Sequence, residues 1–169
     1  LELGVGLGWQ EEEYEASGIS FDQRTKIFWE TLDICQSLWK GGPVSHKGEM
    51  FEFNDIWCHP TPAQASDIPL LFGVKMTESN AQDIAKIGHG WIPIKTSRDF
   101  ISEGSEKLNH AFKEVGRDDK PRIRGQLPTC VDSNGMPSVD LTLKELEKSM
   151  QAGLEEIEVF PINFAQSPD

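Results

Sequence analysis

The sequence predicts an α/β protein with a parallel sheet, on three observations. Short apolar segments alternate along the chain with longer amphipathic ones, which is typical of parallel strands joined by helices. One apolar segment, IPLLFG at 68–73, lacks any polar residue, which suits a strand covered on both faces. The 169 residues suffice for a core, and we expect a single domain over residues 1–169.

The chain opens with a predicted strand that runs into a glycine-rich loop, LELGVGLG at 1–8. The acidic run EEEYE at 11–15 predicts the start of a helix, because carboxylates favour the first turn. A longer helix is predicted over 22–40 and ends at Gly41. Its apolar face has residues spaced by four, three and four positions: Phe28, Leu32, Cys35 and Trp39.

An excursion at about 41–67 interrupts the alternation of strands and helices. Phe51 and Phe53 alternate with polar residues after a Lys47-Gly48 turn, which predicts either a small hairpin or an extended excursion. Pro60 and Pro62 then favour an extended segment.

The remainder of the chain predicts four strands and three helices in strict alternation. The strands are expected at 68–73, 90–94, 121–131 and 155–160, and the helices at 77–88, 98–115 and 141–153. Thr77 or Ser79 would cap the first of these helices and Ser97 the second. The side chains expected to face the core of the last two helices are Phe100, Ile101, Gly104, Leu108, Ala111, Val115, Leu143, Leu146 and Met150.

Composition excludes several classes of function. A net charge of −12 with no basic run disfavours nucleic-acid and anionic-membrane binding. No apolar run approaches the roughly 20 residues of a membrane span. The three cysteines form no CxxC pair and the histidines are scattered, so we expect no metal site and reduced thiols in a cytoplasmic protein. No nucleophile arrangement is recognisable, and the catalytic residue is unknown.

Two glycine-containing loops are candidates for ligand binding. GVGLGW at 4–9 is either a phosphate or cofactor loop or a tight exit from a strand, and its spacing is not the dinucleotide fingerprint. FGVKMTESN at 72–80 combines a strand end with a helix N-terminus, Lys75 and Thr77. It is either an anion site or an ordinary capped helix.

Two side chains in GHGWIP at 88–93 could also take part in chemistry. His89 is either a base or ligand or, as we favour, a loop residue. Trp91 could stack on a cofactor ring, although a core position is the more common role for tryptophan. The carboxylates of 11–15 could supply a base, but a solvated helix face is the favoured interpretation.

Taken together, the segments resemble the luciferase-like monooxygenase family of flavin- and deazaflavin-dependent (β/α)8 barrels. Each match is weak alone, but their order and spacing extend over almost the whole chain. The matching segments are LELGVGLGW with EEEYEASGI, FDQR with Glu30 and Leu38-Trp39, KGEMFEF, HPTPAQ, IPLLFG, IAKIGHGWIP and GRDDKP.

The resemblance implies a (β/α)8 TIM-barrel fold that is incomplete, with about strands four to eight present, and therefore a part of a longer enzyme. Pattern alone leaves a doubly wound five-stranded sheet equally open, because a barrel needs about 250 residues. The implied cofactor is FMN or coenzyme F420, and the implied reaction is hydride transfer or oxygen insertion on a small-molecule substrate.

Carried over by position, the resemblance assigns two groups of residues to the cofactor. Gly4, Gly6 and Gly8 would line its pocket, and the phosphate would be held by backbone N–H groups of Gly73, Val74, Lys75, Met76 and Thr77. The sequence departs from the family pattern at Val74, where glycine is usual, and at His89, where aspartate is usual.

Two other functions stay open alongside the flavin-dependent oxidoreductase. The chain could be a non-catalytic oligomeric fragment, or a small α/β domain that binds a phosphorylated ligand at 73–77. Whether this chain alone is an enzyme also stays open. An incomplete barrel exposes strand edges and apolar surface, so we expect a homo-oligomer.

Overall fold

The computed structural model describes residues 1–64 and 67–164. It divides the chain into two compact units, Leu1–Pro69 and Leu70–Asp169, here called unit 1 and unit 2. Within the described residues, no helix is both long and apolar enough to span a membrane.

Unit 1 contains the predicted strand, helices and hairpin. Its elements are β1 (Leu3–Gly6), α1 (Glu11–Ala16), α2 (Arg24–Trp39), β2 (Val44–Lys47) and β3 (Glu52–Ile56), with a 3-10 turn over Phe21–Gln23 before α2. Strands β2 and β3 pair antiparallel, with His46 opposite Phe53, which confirms the hairpin. The predicted excursion at 41–67 includes residues 65 and 66, which lie outside the described residues.

The hairpin is attached to α2 through Glu30. Its carboxylate accepts hydrogen bonds from the N–H groups of Met50 and Phe51 at 3.0 and 2.9 Å, and lies 3.0 Å from Nε2 of His46. Partial burial acts to raise the pKa of Glu30, but these bonds outweigh it and leave the pKa below its ordinary value. A Cβ at Gly48 would lie 2.0 Å from the Glu30 carboxylate, so only glycine allows this approach.

Unit 2 contains four parallel strands joined by three helices. The strands β4 (Leu70–Gly73), β5 (Gly90–Trp91), β6 (Arg122–Gln126) and β7 (Glu156–Glu158) are neighbours in chain order. The helices between them are α3 (Glu78–Ile87), α4 (Arg98–Glu114) and α5 (Val139–Gln151). This order contains no reversal of the kind that defines a doubly wound sheet, and successive right-handed crossovers of a barrel produce it.

The core of unit 2 is built on β4 and the helices that cover it. Leu70, Leu71 and Phe72 have no exposed surface, which confirms the prediction of a fully covered strand. The α4 side chains Ile101 and Leu108 are buried as predicted.

One expected core residue of α4 is exposed. The helix ends at Glu114, so Val115 is its C-cap and is 45% exposed. Phe112 is buried instead, under the guanidinium of Arg117, which lies 3.9 Å from the ring centre. The prediction was wrong because it extended the helical stripe one residue past the end of the helix.

The predicted core face of α5 is also wrong. Leu143 and Met150 are 51% and 56% exposed, while Thr142 and Ser149 are buried. Both hydroxyls have partners: Thr142 accepts from the Cys130 N–H, and Ser149 donates to a carbonyl one turn earlier. Because their hydrogen bonds are satisfied, two small polar residues can face the core, and the leucine stripe lies outside it.

We expect Glu30→Gln to remove part of the acid sensitivity of unit 1. Since the folded pKa of Glu30 lies below its ordinary value of 4.5, its ionised form stabilises the fold above that pH. This stabilisation is lost as the pH falls through the folded pKa. The variant should be less stable than the wild type near neutral pH, and the difference should shrink as the pH falls below 4.5. Urea unfolding at several pH values measures this.

The control for this experiment is Glu12→Gln, on the exposed surface of α1. It should follow the wild-type pH profile. A difference between Glu30→Gln and wild type that stays constant with pH would contradict the assigned role of the carboxylate.

Candidate functional site

The loop between β4 and α3 forms the best-defined candidate site. Gly73 ends the strand, and Thr77 is the N-cap of α3, with its hydroxyl accepting a hydrogen bond from the Asn80 N–H at 3.1 Å. The N-cap is thus Thr77 and not Ser79. The predicted junction of strand end, short loop and helix N-terminus is confirmed.

The two central carbonyl groups of this loop are held by other residues of unit 2. The indole N–H of Trp91 donates to the Val74 carbonyl at 2.8 Å in a buried hydrogen bond. The Lys75 carbonyl accepts from the Thr77 N–H at 3.0 Å and from the Asn80 side-chain amide at 2.9 Å. The side chains of Val74 and Met76 are buried and that of Lys75 is exposed. Lys75 is therefore the side chain that the loop presents.

A cleft of about 150 Å³ lies between this loop and α4. Glu103 and Lys107 form an ion pair at 2.6 Å, and their hydrogen bond lowers the pKa of Glu103 and raises that of Lys107. The pair is neutral overall, so the positive charge of the cleft comes from Lys75. The cleft is lined by Lys75, Met76, Trp91, Phe100, Glu103, Gly104 and Lys107.

The donor set of the loop fits a phosphate group. A helix N-terminus, a lysine ammonium group and backbone N–H groups are the donors that bind phosphate in proteins. The ten-residue α3 supplies the first and Lys75 the second. The predicted residues Gly73, Val74, Lys75, Met76 and Thr77 lie consecutively along this one turn.

The glycine-rich exit of β1 is a second candidate and belongs to unit 1. Gly4 and Gly6 lie on β1, and Gly8 lies in the loop after it with a φ of 68°, a conformation that favours glycine. The Tyr14 hydroxyl donates to the Leu7 carbonyl and fixes this loop. An open cleft of about 370 Å³ adjoins it, lined by Gly6, Leu7, Gly8, Glu13, Tyr14, Ser17 and Ile19.

Gly4 does not border this open cleft. It lines a mainly apolar cavity of about 490 Å³ between β1 and α2, together with side chains such as Phe28 and Leu32. Gly6 borders both spaces and Gly8 borders the open cleft alone. The run 11–15 lies largely in the exposed helix α1, as predicted, and contributes only Glu13 and Tyr14 to that cleft.

His89 lies at the opposite end of the strands from the 73–77 loop. It precedes β5, and its Nδ1 accepts a hydrogen bond from the N–H of Leu70, the first residue of β4, at 3.2 Å. Ligand sites of parallel α/β sheets lie at the carboxyl ends of the strands, so His89 has a structural role here. The position of Trp91 is likewise a core position, with no exposed surface for stacking on a ring.

The GRDDKP turn is structural as well. Arg117 donates to the carbonyls of Ala85 and Gly88 at 3.1 and 2.7 Å, and so satisfies groups at the C-terminal end of α3. Its guanidinium group also pairs with Asp119 at 2.5 Å. This residue stabilises the end of α3 that is remote from the candidate site.

Sequence reasoning missed Asn80 and the hydrogen bond of Trp91. Asn80 stands three residues after the N-cap, where a side chain can reach back to the preceding turn, and that position was the available signal. The Trp91 contact spans 17 residues and leaves no local pattern.

Comparisons with known proteins agree with this fold. The sequence model described as Luciferase-like monooxygenase matches residues 1–144. The uncharacterized protein Rv0953c of Mycobacterium tuberculosis is 34% identical over 124 residues, which cover 73% of this chain and 43% of that protein. The chain therefore spans less than half the length of this relative.

Two solved structures show the same fold at low sequence identity. An F420-dependent secondary alcohol dehydrogenase in complex with an F420-acetone adduct superposes with a TM-score of 0.72 at 17% identity, covering 94% of this chain and 63% of that one. A type II Baeyer-Villiger monooxygenase from Pseudomonas putida in complex with FMN gives 0.61 at 18% identity, covering 78% and 40%. These matches confirm the predicted barrel-type α/β class.

We expect Thr77→Ala to lower the free energy of unfolding by about 1 kcal/mol, because it removes the side-chain cap of α3. Ser97→Ala is a matched control, since Ser97 occupies the N-cap of α4 without a side-chain hydrogen bond. Ser97→Ala should lower the free energy of unfolding by clearly less. Urea unfolding of the two variants gives the comparison, and equal losses would contradict the assigned cap.

Proposed function

Because the chain belongs to the luciferase-like monooxygenase family, we propose that it is part of a flavin- or deazaflavin-dependent oxidoreductase. The cofactor would be FMN or coenzyme F420, and the loop at 73–77 would hold its phosphate. The substrate would be a small molecule and the reaction a hydride transfer or an oxygen insertion. We retain cytoplasm as the expected location.

The observation that supports this proposal best is the arrangement of the 73–77 loop. Lys75 is exposed between two buried neighbours, and Thr77, two residues later, is the N-cap of α3. An anion at this turn would interact with the helix dipole and with the lysine ammonium group together. Two fold neighbours, the dehydrogenase in complex with an F420-acetone adduct and the monooxygenase in complex with FMN, support a cofactor of this class.

The cofactor, when bound, supplies the redox chemistry, while the protein supplies binding and orientation. In this chain, the turn at 73–77 would anchor the phosphate and thereby fix the distance of the ring system from the strand ends. Gly4, Gly6 and Gly8 remain proposed as lining of the cofactor pocket, on the resemblance alone. No residue of this chain is assigned a proton transfer or a catalytic role.

Titration with FMN, and separately with F420, tests the proposal through flavin fluorescence. We expect saturable binding of one of them. Gly73→Leu should abolish it, because a leucine side chain would fill the space through which a phosphate approaches the backbone. Lys75→Ala should weaken it by about tenfold through loss of a charge-assisted contact.

Lys113→Ala is the matched control for charge, because Lys113 lies at the far end of α4 and its side chain is also exposed. It should bind as the wild type does. Failure of the wild type to bind either cofactor would contradict the proposed function. Equal effects of the two lysine variants would contradict the proposal that the 73–77 loop binds the phosphate.

We further propose that unit 2 associates with a second copy of the chain through α5. Val139, Leu143, Leu146 and Met150 are spaced by four, three and four residues, the pattern of a helix-pairing seam. Three of them are more than half exposed: Val139, Leu143 and Met150. An apolar stripe of this kind marks an interaction surface.

We expect the purified chain to be a dimer or larger oligomer in light scattering at micromolar concentration. The double substitution Leu143→Glu and Met150→Glu should weaken association, since it places carboxylates in the seam. The control is Val115→Glu, at an exposed apolar position outside α5. A monodisperse wild-type monomer would contradict this proposal.

A further inference from the structure

We propose that Trp91 and Asn80 are positioning residues that turn two backbone N–H groups of the phosphate loop toward the ligand. The N–H groups are those of Lys75 and Met76. The inference rests on the proposed function, because it explains how the 73–77 loop is made ready for a phosphate. Neither Trp91 nor Asn80 needs to touch the ligand.

The Val74–Lys75 peptide is held in one orientation by its carbonyl group. In a trans peptide the carbonyl and the N–H of one plane point in opposite directions, and the cis bond among the described residues is His59–Pro60. The Val74 carbonyl points to the buried indole of Trp91. The Lys75 N–H therefore points away from Trp91 and the core.

The position of Trp91 is fixed from several sides. Its ring lies against Gly104 of α4, where an added Cβ would be 2.3 Å from the indole, and beside Phe100, with ring centres 5.5 Å apart. It has no exposed surface, so water does not compete for its N–H. If the hydrogen bond were lost, the buried Val74 carbonyl would lack a donor, which is costly. The peptide plane is consequently held in one orientation.

The next peptide, Lys75–Met76, is held in the same way. The Lys75 carbonyl accepts from the Thr77 N–H and from the side-chain amide of Asn80. The Met76 N–H lies on the same peptide plane and therefore points away from these two donors. Successive backbone N–H groups in a turn can form an anion-binding concavity, which the N–H groups of Lys75 and Met76 would supply to a phosphate.

This arrangement would give phosphate affinity by preorganisation. The free-energy cost of orienting the loop falls on folding. The N–H groups therefore need no reorientation when a phosphate binds. The consequence is specific: loss of either anchor should affect the phosphate of a ligand and leave contacts to the rest of the ligand intact. A ligand without phosphate provides the comparison.

The experiment compares FMN with riboflavin, which has the same ring and ribityl chain without the phosphate. The ratio of their dissociation constants is measured by flavin fluorescence for the full chain and its variants. Where F420 is the cofactor that binds, the comparison uses F420 and its phosphate-free deazaflavin. Trp91→Phe keeps an aromatic ring and removes the N–H, and it should reduce the preference for FMN about tenfold. The affinity for riboflavin should stay unchanged.

Leu108→Ala is the matched control, because it removes a buried side chain of α4 outside the cleft while leaving the Trp91 N–H in place. It should lower stability without changing the preference for FMN. Asn80→Ala is the second test variant, for the case that Trp91→Phe does not fold. It keeps the backbone N–H that donates to the Thr77 cap and should also reduce the preference for FMN.

The outcomes separate the inference from the proposed function. A wild type that binds neither flavin, or binds FMN no better than riboflavin, overturns the phosphate site and the inference with it. If the wild type prefers FMN and both Trp91→Phe and Asn80→Ala show the same preference, the inference is overturned and the proposed function is not. An equal loss with Leu108→Ala also overturns it, because the loss of core packing would then explain the effect.

Amide NMR provides an independent readout. In the wild type, the amide resonances of Lys75 and Met76 should shift with FMN and remain in place with riboflavin. In Trp91→Phe the FMN-dependent shift of Lys75 should be lost. A wild-type shift confined to other amides would overturn the assignment of these two donors.

Discussion

The buried hydrogen bond from Trp91 to the Val74 carbonyl is the interaction on which the candidate site depends. It joins β5 to the exit of β4, at the carboxyl ends of two neighbouring parallel strands. The indole lies under Gly104, so α4 contributes to the same contact. A strand, a loop and a helix are thus tied together at one carbonyl group, and the path of the chain from Gly73 to Thr77 follows from it.

The two edges of the sheet in unit 2 differ for a related reason. At the carboxyl ends of the strands, α3 begins with a polar cap and Lys75 is exposed. At the amino ends, His89 bonds to Leu70 and Arg117 satisfies the carbonyls at the end of α3. Charged and polar groups there are used by the protein itself, whereas the opposite edge carries the donors that we propose for a phosphate. This polarity is typical of parallel α/β folds.

Elsewhere, satisfied polar groups decide which surfaces are buried. Thr142 and Ser149 face the core because backbone partners accept or supply their hydrogen bonds, and the apolar stripe of α5 is consequently exposed. In unit 1, Glu30 is largely covered because Met50, Phe51 and His46 surround its carboxylate. Both cases show that burial follows the whole hydrogen-bonding arrangement and not hydrophobicity alone.

The sequence by itself determined the elements whose signals are local. The unbroken apolar segment of β4, the N-cap before α3 and Gly41 after α2 each depend on neighbouring residues, and all lie where they were expected. The tertiary structure alone decided the core face of α5, the partner of the Trp91 indole, and the position of His89 at the amino ends of the strands. Each of these features depends on contacts with residues that are distant in the sequence. The periodicity of a helix or strand contains no information about such contacts.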